Sequence, residues 1–553
     1  MHNSSNYFSL FFARATLIAC GFCFCFSSGL QAGDKNIVTD CWPAFLGSGA
    51  TTLNPDSLPL EWSPTSNICW ETELVGTGQS SPVIWGSKVF VTSIDGTMKE
   101  NCHVTAISLA DGKKLWDDRR DSAQPVRSNY FQSRSAPTPA VDANGVYAFF
   151  ETGILVGLTH EGKEKWVRNL VDEFGEFEVR IGLAASVAQS NDSIFVLVDH
   201  EGPSYLLAVD KESGKTKWFT KRFSRQSYAS PTVLKIEGQS QIVVSSAGSV
   251  DGYDPQTGKQ LWTMEGVGGN RSTTPHTFAN NRMLISAAPG MHDKHLAEAR
   301  KSNFAMHIEK TTGGFQTKIL WKTEKAMPSF GSPIVHQGLA YWVNNVGVLY
   351  CFDAESGERV YTRRSGQLCW ATPLGLGNHI YLFGKDGLTT VIAAGREFKV
   401  IARNELFAGA TEAGESDIRR RELRGHQHGG RSGAGASKSG VAVDPPAIGS
   451  ESQAGRNGRG GSPGQVSRQA EPAEVSVAGA TPSPGRGGRP NRPSGDGESQ
   501  EDGGAARTRG GRTFADPVQY GYAAVNGSLV IRTGGKVYCL RKNTSLAAEE
   551  VVK

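Results

Sequence analysis

A short phrase returns along this chain: an apolar stretch, a turn containing Gly, and a Trp a few positions later. Four clear copies stand at 106–116 (AISLADGKKLW), 156–166, 207–218 and 250–262, and weaker copies follow at 306–321 and 350–361. Successive Trp residues from Trp116 to Trp321 are 50, 52, 44 and 59 positions apart. Self-similarity at this period predicts a β-propeller in which each repeat forms one four-stranded blade.

Each copy has the chemistry of a β-hairpin. Asp-Gly, Glu-Gly, Ser-Gly and Thr-Gly pairs supply the residue that takes a positive φ in a tight antiparallel turn. A Trp at the same place in every unit must meet the same kind of neighbour, either as a specific docking residue or as plain core filling. The residues predicted to serve as structural docking residues are Trp70, Trp116, Trp166, Trp218, Trp262 and Trp321.

Counting the repeats predicts an all-β fold with eight antiparallel blades. The innermost strands are expected to begin near Ser80, Ser135, Ala184, Tyr228, Thr273, Phe330, Trp370 and Tyr520. The last unit offers only three strands, at 522–525, 528–532 and 536–541. A fourth strand is available near the other end of the chain, at 68–74. Pairing the N- and C-terminal segments in one blade would close the ring and leave no exposed edge between its ends.

The repeated phrase resembles the tryptophan-docking motif of quinoprotein-type eight-bladed propellers. This family includes the pyrroloquinoline quinone (PQQ) dehydrogenases and the lipoprotein subunit of the outer-membrane barrel-assembly machinery. The segment Cys41-Trp42-Pro43-Ala44-Phe45-Leu46-Gly47 resembles the Trp-Pro-x-Phe-x-Gly opening of secreted PQQ-repeat proteins. The resemblance covers about residues 42–407 and 514–542. It implies the fold strongly and the activity weakly, because the same propeller serves enzymes and scaffolds.

The first 32 residues predict a secretory signal peptide. An apolar stretch, 16–26, follows Arg14, and small residues precede a cleavage site after Ala32. No other segment approaches the length of a transmembrane helix. We therefore expect export to the periplasm or the extracellular space. A lipobox-like Leu17-Ile18-Ala19-Cys20 leaves a lipid anchor as the alternative.

A second segment, 409–512, differs in composition from the blades around it. It contains no Phe, Tyr, Trp or Cys, and its 15 basic residues (14 of them Arg) stand against 12 acidic ones. Such a stretch cannot bury enough apolar surface to offset the entropy of ordering the chain, so it is predicted to be a disordered insertion. The domain plan is therefore a leader (1–32), blades 1–7 with the closing strand (33–408), the insertion, the last blade (513–542) and a tail (543–553).

The insertion contains Gly-Arg runs that resemble RGG segments, which bind single-stranded nucleic acid. It lacks the aromatic residues that would stack on bases, and acidic residues are interspersed with the arginines. We expect no nucleic-acid partner and interpret the segment as a tolerated surface insertion.

Six cysteines follow the leader, an even number that permits disulfides in an exported protein. They are Cys41, Cys69, Cys102, Cys351, Cys369 and Cys539. Closure of the ring would place Cys69 and Cys539 on neighbouring strands, which makes them a candidate disulfide. Buried free thiols in the strand cores are the alternative.

The inner strands share a small-residue–Pro signature, expected where they converge on the central axis. It occurs at Ser81-Pro82, Ala136-Pro137, Ser230-Pro231, Thr274-Pro275, Ser332-Pro333 and Thr372-Pro373. The residues just before these starts are predicted to form the rim of a central funnel. The rim comprises Gln79, Arg134, Arg180, Tyr228, Arg271, Phe330, Trp370 and Tyr520. Its arginines and aromatic rings suit a planar anion, a peptide or a sugar, unless the side chains merely fill the axis.

The catalytic parts that the resemblance would imply are not recognisable in the sequence. A PQQ dehydrogenase needs a quinone slot, a Ca²⁺ bound by oxygen ligands and a catalytic Asp, and commonly a disulfide between adjacent cysteines. This chain has no Cys-Cys pair and no Cys-x-x-Cys-His haem site. No catalytic residue is predicted, and glycan hydrolysis lacks a convincing carboxylate pair.

One cluster has conceivable metal-ligand spacing: His292, His295 and, further on, His307. Solvent-exposed histidines are the usual explanation of such spacing, and no metal site is predicted. The leading hypothesis is an exported, monomeric, non-catalytic propeller without a cofactor that binds an envelope protein or polysaccharide. The alternative is a PQQ-dependent oxidoreductase with a divergent site for PQQ and Ca²⁺.

Overall fold

The computed structural model describes residues 41–49, 53–126, 133–179, 181–279, 281–288, 296–326, 328–410 and 521–542. The predicted leader (1–32) and tail (543–553) lie outside these ranges, as does the predicted insertion (409–512) apart from its first two residues.

Within the described residues the strands form eight antiparallel sheets, each one blade of a propeller. Blade 1 contains β1 (Cys41–Trp42), β3 (Val83–Trp85), β4 (Lys88–Asp95), β5 (Asn101–Ser108) and β6 (Lys114–Asp121). Blade 2 contains β7 (Ala140–Asp142), β8 (Gly145–Phe149), β9 (Ile154–Leu158) and β10 (Glu164–Asn169). Blade 3 contains β11 (Ala188–Gln189), β12 (Ser193–Val198), β13 (Ser204–Asp210) and β14 (Thr216–Arg222). Blade 4 contains β15 (Thr232–Ile236), β16 (Gln239–Ser246), β17 (Gly248–Tyr253) and β18 (Gln260–Val267).

The second half of the ring repeats the same order from the axis outward. Blade 5 contains β19 (His276–Phe278), β20 (Arg282–Ile285), β21 (Phe304–Thr311) and β22 (Gly314–Lys322). Blade 6 contains β23 (Ile334–His336), β24 (Leu339–Val343), β25 (Val348–Asp353) and β26 (Arg359–Arg364). Blade 7 contains β27 (Leu374–Leu376), β28 (His379–Phe383), β29 (Leu388–Ala393) and β30 (Val400–Glu405). Blade 8 contains β31 (Gly521–Val525), β32 (Ser528–Arg532), β33 (Lys536–Leu540) and β2 (Ile68–Glu73).

The predicted eight-bladed architecture and its closure are confirmed. Strand β2, near the beginning of the described chain, pairs with β33 at its end, with Trp70 opposite Cys539 and Thr72 opposite Val537. The two ends of the polypeptide therefore share one sheet, in which β33 is paired on both sides and β2 forms the outer edge.

Two details of the strand predictions are wrong. Seven of the inner strands begin three to five residues later than expected, because the preceding residues bond to the neighbouring blade instead of their own sheet. Blade 1 also has a fifth strand, because Cys41 and Trp42 pair with Trp85 and Ile84 on the axis side of the sheet.

The core lies between neighbouring blades. The middle strands are buried on both faces, and every residue of β8 and β9 is buried. The outermost strands alternate instead, as in β22, where exposed and half-buried residues follow one another along the whole strand. This contrast follows from position, because a middle strand packs against two adjacent sheets whereas the outer strand meets solvent.

Helices are short in the described part of the chain. They are a 3₁₀ turn at Phe45–Gly49, α1 (Leu170–Phe174) and α2 (Leu296–Lys301). The Asn169 side chain caps α1 by accepting hydrogen bonds from the backbone amides of Val171 and Asp172. Among the residues described, no helix has the length and apolar character needed to cross a membrane.

Candidate functional site

The predicted rim lies on one face of the propeller, which we call the upper face. It is the end at which the inner strands begin. Since strands alternate in direction, the outermost strand of each blade also ends there, and the link to the next blade crosses this face. Six predicted rim residues are described, whereas Arg180 and Tyr520 lie outside the described residues. The six are Gln79, Arg134, Tyr228, Arg271, Phe330 and Trp370.

Gln79 and Arg134 join blades 1 and 2. The Gln79 amide donates to the Arg134 carbonyl at 2.9 Å, and the Arg134 amide donates to Oε1 of Gln79 at 3.0 Å. Arg134 is 7% exposed. This part of the rim therefore works mainly as a junction between blades.

Tyr228 and Arg271 join blades 4 and 5 in a similar way. The Tyr228 amide donates to the Arg271 carbonyl at 2.6 Å. Both side chains also converge on Oε1 of Gln226, the tyrosine hydroxyl at 3.2 Å and the guanidinium at 3.1 Å. Gln226 was not predicted from the sequence, and it holds these two half-buried side chains in place.

Phe330 and Trp370 form an aromatic pair at the junction of blades 6 and 7. Their ring centroids are 4.7 Å apart, and both side chains are half-buried. The ammonium group of Lys385 lies 4.8 Å from the centre of the Trp370 ring. The indole N–H of Trp370 is buried and has no hydrogen-bond partner among the described residues. We call Phe330, Trp370 and Lys385 the aromatic cluster.

The structure thus resolves the six described rim residues into three pairs at three different blade junctions. In two of the pairs the two residues are polar and are hydrogen-bonded to each other. The third pair presents aromatic surface. The sequence predicted one continuous ring of arginines and aromatic residues. Residue types alone do not show which of these side chains contact each other.

A buried ion pair lies just beneath the rim and was not predicted. Lys99 Nζ is 3.5 Å from Oε1 of Glu151, and both side chains are 1% exposed. The Glu151 carboxylate also accepts the Ser135 amide, at 2.8 and 3.0 Å, and Lys99 donates to the Ser133 carbonyl. These groups bind one another and hold the loops of blades 1 and 2. The cavity beside them has a volume of about 30 Å³, enough for about one water molecule.

Below the rim, a chain of hydrogen bonds runs around the axis through the start of each inner strand. At each step the backbone amide of one residue donates to the side-chain hydroxyl of its counterpart in the next blade, at 2.9 to 3.1 Å. We call these seven residues the hydroxyl ring. In order they are Ser81, Thr138, Ser186, Ser230, Thr274, Ser332 and Thr372.

The hydroxyl ring corrects one sequence prediction. Ala136-Pro137 was assigned as the inner-strand signature of blade 2, but Thr138-Pro139 holds that place. The register is set by β7, which begins at Ala140, two residues after Thr138. The same spacing of two residues separates the ring hydroxyl from the inner strand in the other six blades of the ring.

The N-terminal segment 41–49 enters the central channel at the opposite end, which we call the lower face. Besides the pairing of β1 with blade 1, the Pro43 carbonyl accepts the Val141 amide of blade 2 at 2.8 Å and the Gln189 side chain of blade 3 at 3.1 Å. The Trp42 ring lies 5.9 Å from that of Tyr522 in blade 8. This segment occupies part of the lower channel and leaves a pocket of about 280 Å³ beside it.

Five of the six predicted docking tryptophans donate their indole N–H to the lower-face turn of the next blade. The distances are 2.9 to 3.0 Å, and the acceptors are the carbonyls of Leu109, His160, Lys211, Pro255 and Ala354, for Trp70, Trp116, Trp166, Trp218 and Trp321. Each ring also packs against the turn glycine, where a Cβ would lie 2.4 to 2.7 Å from a ring atom. Trp262 differs, because it donates to Gln241 Oε1 in its own blade at 2.7 Å.

Five of the six cysteines that the structure describes are buried, and Cys69 is the exception. Cys69, at a bulge in β2, is exposed, and Cys539 is buried on the paired strand. The two residues lie on neighbouring strands as expected, and a disulfide between them stays a prediction. Burial raises the pKa of the Cys102 and Cys539 thiols to about 11, so neither is a thiolate nucleophile near neutral pH.

No group of three or more His, Cys, Asp or Glu side chains with metal-binding geometry occurs among the described residues. Of the three histidines considered as ligands, His307 lies on β21, paired with Arg282 and Lys318. His292 and His295 lie outside the described residues.

Several solved structures are similar to this chain. The solved structure of BamB from Moraxella catarrhalis is 13% identical, with a TM-score of 0.43, over 62% of this chain and 91% of that one. A europium-containing methanol dehydrogenase is 11% identical, with a TM-score of 0.37, over 64% and 89%. The quinohemoprotein alcohol dehydrogenase from Comamonas testosteroni is 13% identical, with a TM-score of 0.35, over 64% and 77%. No curated protein matches the chain.

A family model gives the decisive match. The model described as outer membrane protein assembly factor BamB matches residues 61–202 and 173–363, which together span more than half of the 553 residues. The repeats that produce this match are the blades described above. The chain therefore belongs to the PQQ-repeat propeller family described as outer membrane protein assembly factor BamB.

Proposed function

We propose that this protein is an exported, non-catalytic propeller that binds a protein of the bacterial cell envelope through its upper face. Its family description, an assembly factor for outer-membrane proteins, supports an envelope role. The aromatic cluster supports the choice of surface. An envelope polysaccharide is the alternative partner, because sugars also stack on exposed indole rings.

The observation that carries the proposal is the state of Phe330 and Trp370. Both rings are half-buried at the channel mouth, just ahead of the inner strands of blades 6 and 7. Aromatic residues with a neighbouring cation are typical of binding hot spots, where they fill a partner's pocket or stack on its side chains. The Trp370 N–H is buried and Lys385 is only 5% exposed, so the surface open to a partner is that of the two rings.

A second apolar residue stands on the same face. Phe223 directly follows β14, an outermost strand, and its side chain is 86% exposed. The upper face therefore carries a further exposed aromatic ring, on blade 3.

The described residues do not fit PQQ and Ca²⁺ at the upper face. Ca²⁺ takes six to eight oxygen ligands, usually including carboxylates. The six described rim residues include no carboxylate, and Glu151 beneath them is bound to Lys99 and to the Ser135 amide. The cavity beside that pair has room for about one water and none for a quinone. We therefore derive no oxidoreductase step for this chain.

Site-specific photo-crosslinking in cells tests the partner surface. A benzophenone amino acid in place of Phe330 should crosslink one defined envelope protein, and substitution Trp370→Ala should abolish that product. The same probe at Leu320, on the outer strand of blade 5 and 37% exposed, is the matched control. Equal products from both positions, or none from Phe330, would contradict the proposal.

The non-catalytic assignment needs its own test. Purified protein incubated with PQQ and Ca²⁺ should neither bind the quinone at micromolar concentration nor reduce an artificial electron acceptor with alcohols or sugars. Stoichiometric quinone binding with substrate oxidation would establish the rival function.

Export is tested by the mass of the mature protein. Cleavage after Ala32 predicts a chain that starts at Gly33, whereas lipidation predicts a diacylated Cys20 at the N-terminus. Retention of residues 1–32 in a cytoplasmic protein would contradict export.

A further inference from the structure

The pocket on the lower face lies in the central channel, away from the aromatic cluster. Its volume is about 280 Å³, and its walls come from the inner strands of blades 5 to 8 and from the N-terminal segment. The wall includes Trp42, His276, Ile334, Thr372, Leu376 and Tyr522.

The pocket exists because the N-terminal segment sits off-centre. Its hydrogen bonds go to blades 1, 2 and 3, through the pairing of β1 with β3 and through the Pro43 carbonyl. The segment therefore fills that side of the channel. Opposite it, β1 and the 3₁₀ turn contact β31 of blade 8, including the ring contact between Trp42 and Tyr522, and the space beside blades 5 to 7 stays open.

No Asp, Glu, Lys or Arg is among the residues that line this pocket. Burial lowers the pKa of His276 to about 4, so its imidazole is neutral near pH 7. His336 Nε2 donates to the Gly377 carbonyl at 2.6 Å, so this nitrogen is already used. A charged ligand would lose its hydration without gaining a counter-charge, which strongly favours an uncharged one.

Two polar side chains in the wall keep hydrogen-bonding capacity. The His276 imidazole makes no hydrogen bond to the described residues. Thr372 is 5% exposed, its hydroxyl accepts the Ser332 amide at 2.9 Å, and its O–H donates to no described residue. Apart from His336, the other side chains of the wall are aliphatic or aromatic. A bound molecule can therefore make one or two hydrogen bonds while the rest of it contacts carbon.

We propose that this lower pocket binds a small, uncharged aromatic compound that carries a hydroxyl group. The rings of Trp42 and Tyr522 and the aliphatic walls suit a flat ring, and a hydroxyl can both donate to and accept from His276 and Thr372. An apolar cavity of about 150 Å³ accommodates benzene, so the present volume has room for a substituted ring. The proposal is independent of the partner proposed for the upper face.

Calorimetric titration of the full chain with 4-methylphenol tests the ligand class. We expect saturable binding of one molecule per chain. Benzoate, of similar size but negatively charged, should bind at least tenfold more weakly, and cyclohexanol, which has the hydroxyl but no aromatic ring, should also bind more weakly. The absence of saturable 4-methylphenol binding, or equal binding of benzoate, would overturn the proposal.

The variant Ile334→Phe tests the location. Ile334 is 7% exposed in the pocket wall, and a larger side chain there should fill the space and weaken 4-methylphenol binding at least tenfold. Leu320→Phe, on an outer strand, is the matched control and should bind as the parent protein does. Unchanged affinity of Ile334→Phe would place the ligand elsewhere.

A measurement on the unmodified protein covers the case in which Ile334→Phe fails to fold. The NMR signal of the His276 ring, assigned by its loss in His276→Leu, should shift with the same saturation curve as the calorimetric titration. Saturable binding that leaves this signal unmoved would also refute the site.

Discussion

Arg532 of the last blade reaches across the closure of the ring and donates to both the carbonyl and the hydroxyl of Ser80 in the first blade. The Arg532 side chain is 1% exposed. Its strand partner is Gly521, which by strand register stands where the other blades carry a residue of the hydroxyl ring. A Cβ on Gly521 would lie 2.9 Å from that of Arg532, so the glycine makes room for this contact. The eighth blade thus contributes a guanidinium where the others contribute a hydroxyl.

The contact predicts that Arg532 stabilises the closed ring. Substitution Arg532→Met keeps the side-chain length but leaves the buried polar groups of Ser80 without these donors, and should lower the free energy of unfolding by about 3 kcal/mol. Denaturant unfolding followed by tryptophan fluorescence measures the change.

Arg541 is the matched control. It also joins blade 8 to blade 1, through the carbonyls of Leu109 and Ala110, but it is only half-buried. Arg541→Met should cost about 1 kcal/mol or less, and equal losses would argue against a special role for Arg532.

The hydroxyl ring makes a second prediction at Thr138, which is 1% exposed and accepts the Ser81 amide. Thr138→Val preserves the shape but removes the acceptor, which should lower the free energy of unfolding by about 2 kcal/mol. Thr138→Ser keeps the hydroxyl and should cost about 1 kcal/mol or less. Chemical denaturation of both variants distinguishes the loss of the hydrogen bond from the loss of a methyl group. A smaller loss for Val than for Ser would contradict the role of the ring.

The overall fold could be predicted from the sequence because its signals are local. A Gly turn and an aromatic residue lie within a dozen residues of each other in every copy, the aromatic residue being Trp in five copies and Tyr361 in the sixth. The last unit, at 521–540, has only three strands of its own, which indicated that a fourth strand comes from elsewhere in the chain. Closure through β2 then followed from the general cost of an unpaired sheet edge.

The interior of the channel could not be predicted in the same way. Members of the hydroxyl ring such as Ser186 and Ser230 have no distinguishing sequence pattern, and their role is visible only once neighbouring blades are packed together. Before β7 two X-Pro pairs follow one another, so the sequence does not show which of them corresponds to the pairs of the other blades. Strand β1 has only two residues and therefore no periodicity. Lys99 and Glu151 lie 52 positions apart, so their pairing depends entirely on how two blades meet.

Trp262 provides a third prediction, because its partner is a side chain that can itself be replaced. Gln241 is 0% exposed and accepts the indole N–H of Trp262. Trp262→Phe should lower the free energy of unfolding by about 2 kcal/mol, because it leaves the buried amide without its donor. The double variant Trp262→Phe with Gln241→Leu removes both polar partners and should recover much of that loss. A double-mutant cycle measured by denaturant unfolding gives the coupling, and strictly additive losses would show that the bond contributes little.

His103 predicts a stability that falls as the pH rises. Burial opposes the charged imidazolium, but hydrogen bonds and charge from Asp117, at 2.8 Å, and Asp95, at 3.4 Å, outweigh it and raise the pKa of His103 above its ordinary 6.5. The folded state binds the proton more tightly than the unfolded chain. The stabilisation is therefore complete below pH 6.5 and is lost as the pH rises through the folded-state pKa. Melting temperatures across pH 5 to 9 should show a decline that His103→Gln removes, and identical profiles would disprove the role.

His276 predicts the opposite dependence and is the natural counterpart to His103. Burial in the lower pocket lowers its pKa to about 4, so the unfolded chain binds a proton more readily than the folded one. Above pH 6.5 this histidine is neutral in both states and costs no stability. As the pH falls from 6.5 to about 4, the unfolded chain takes up the proton first, so the free energy of unfolding decreases progressively. The leucine of His276→Leu is uncharged at every pH. The fall in melting temperature from pH 7.5 to pH 4.5 should therefore be smaller in this variant than in the parent protein. The same variant should leave the alkaline decline caused by His103 unchanged, because the two residues belong to blades 5 and 1. A parallel shift of the whole profile would instead indicate a packing effect without proton linkage.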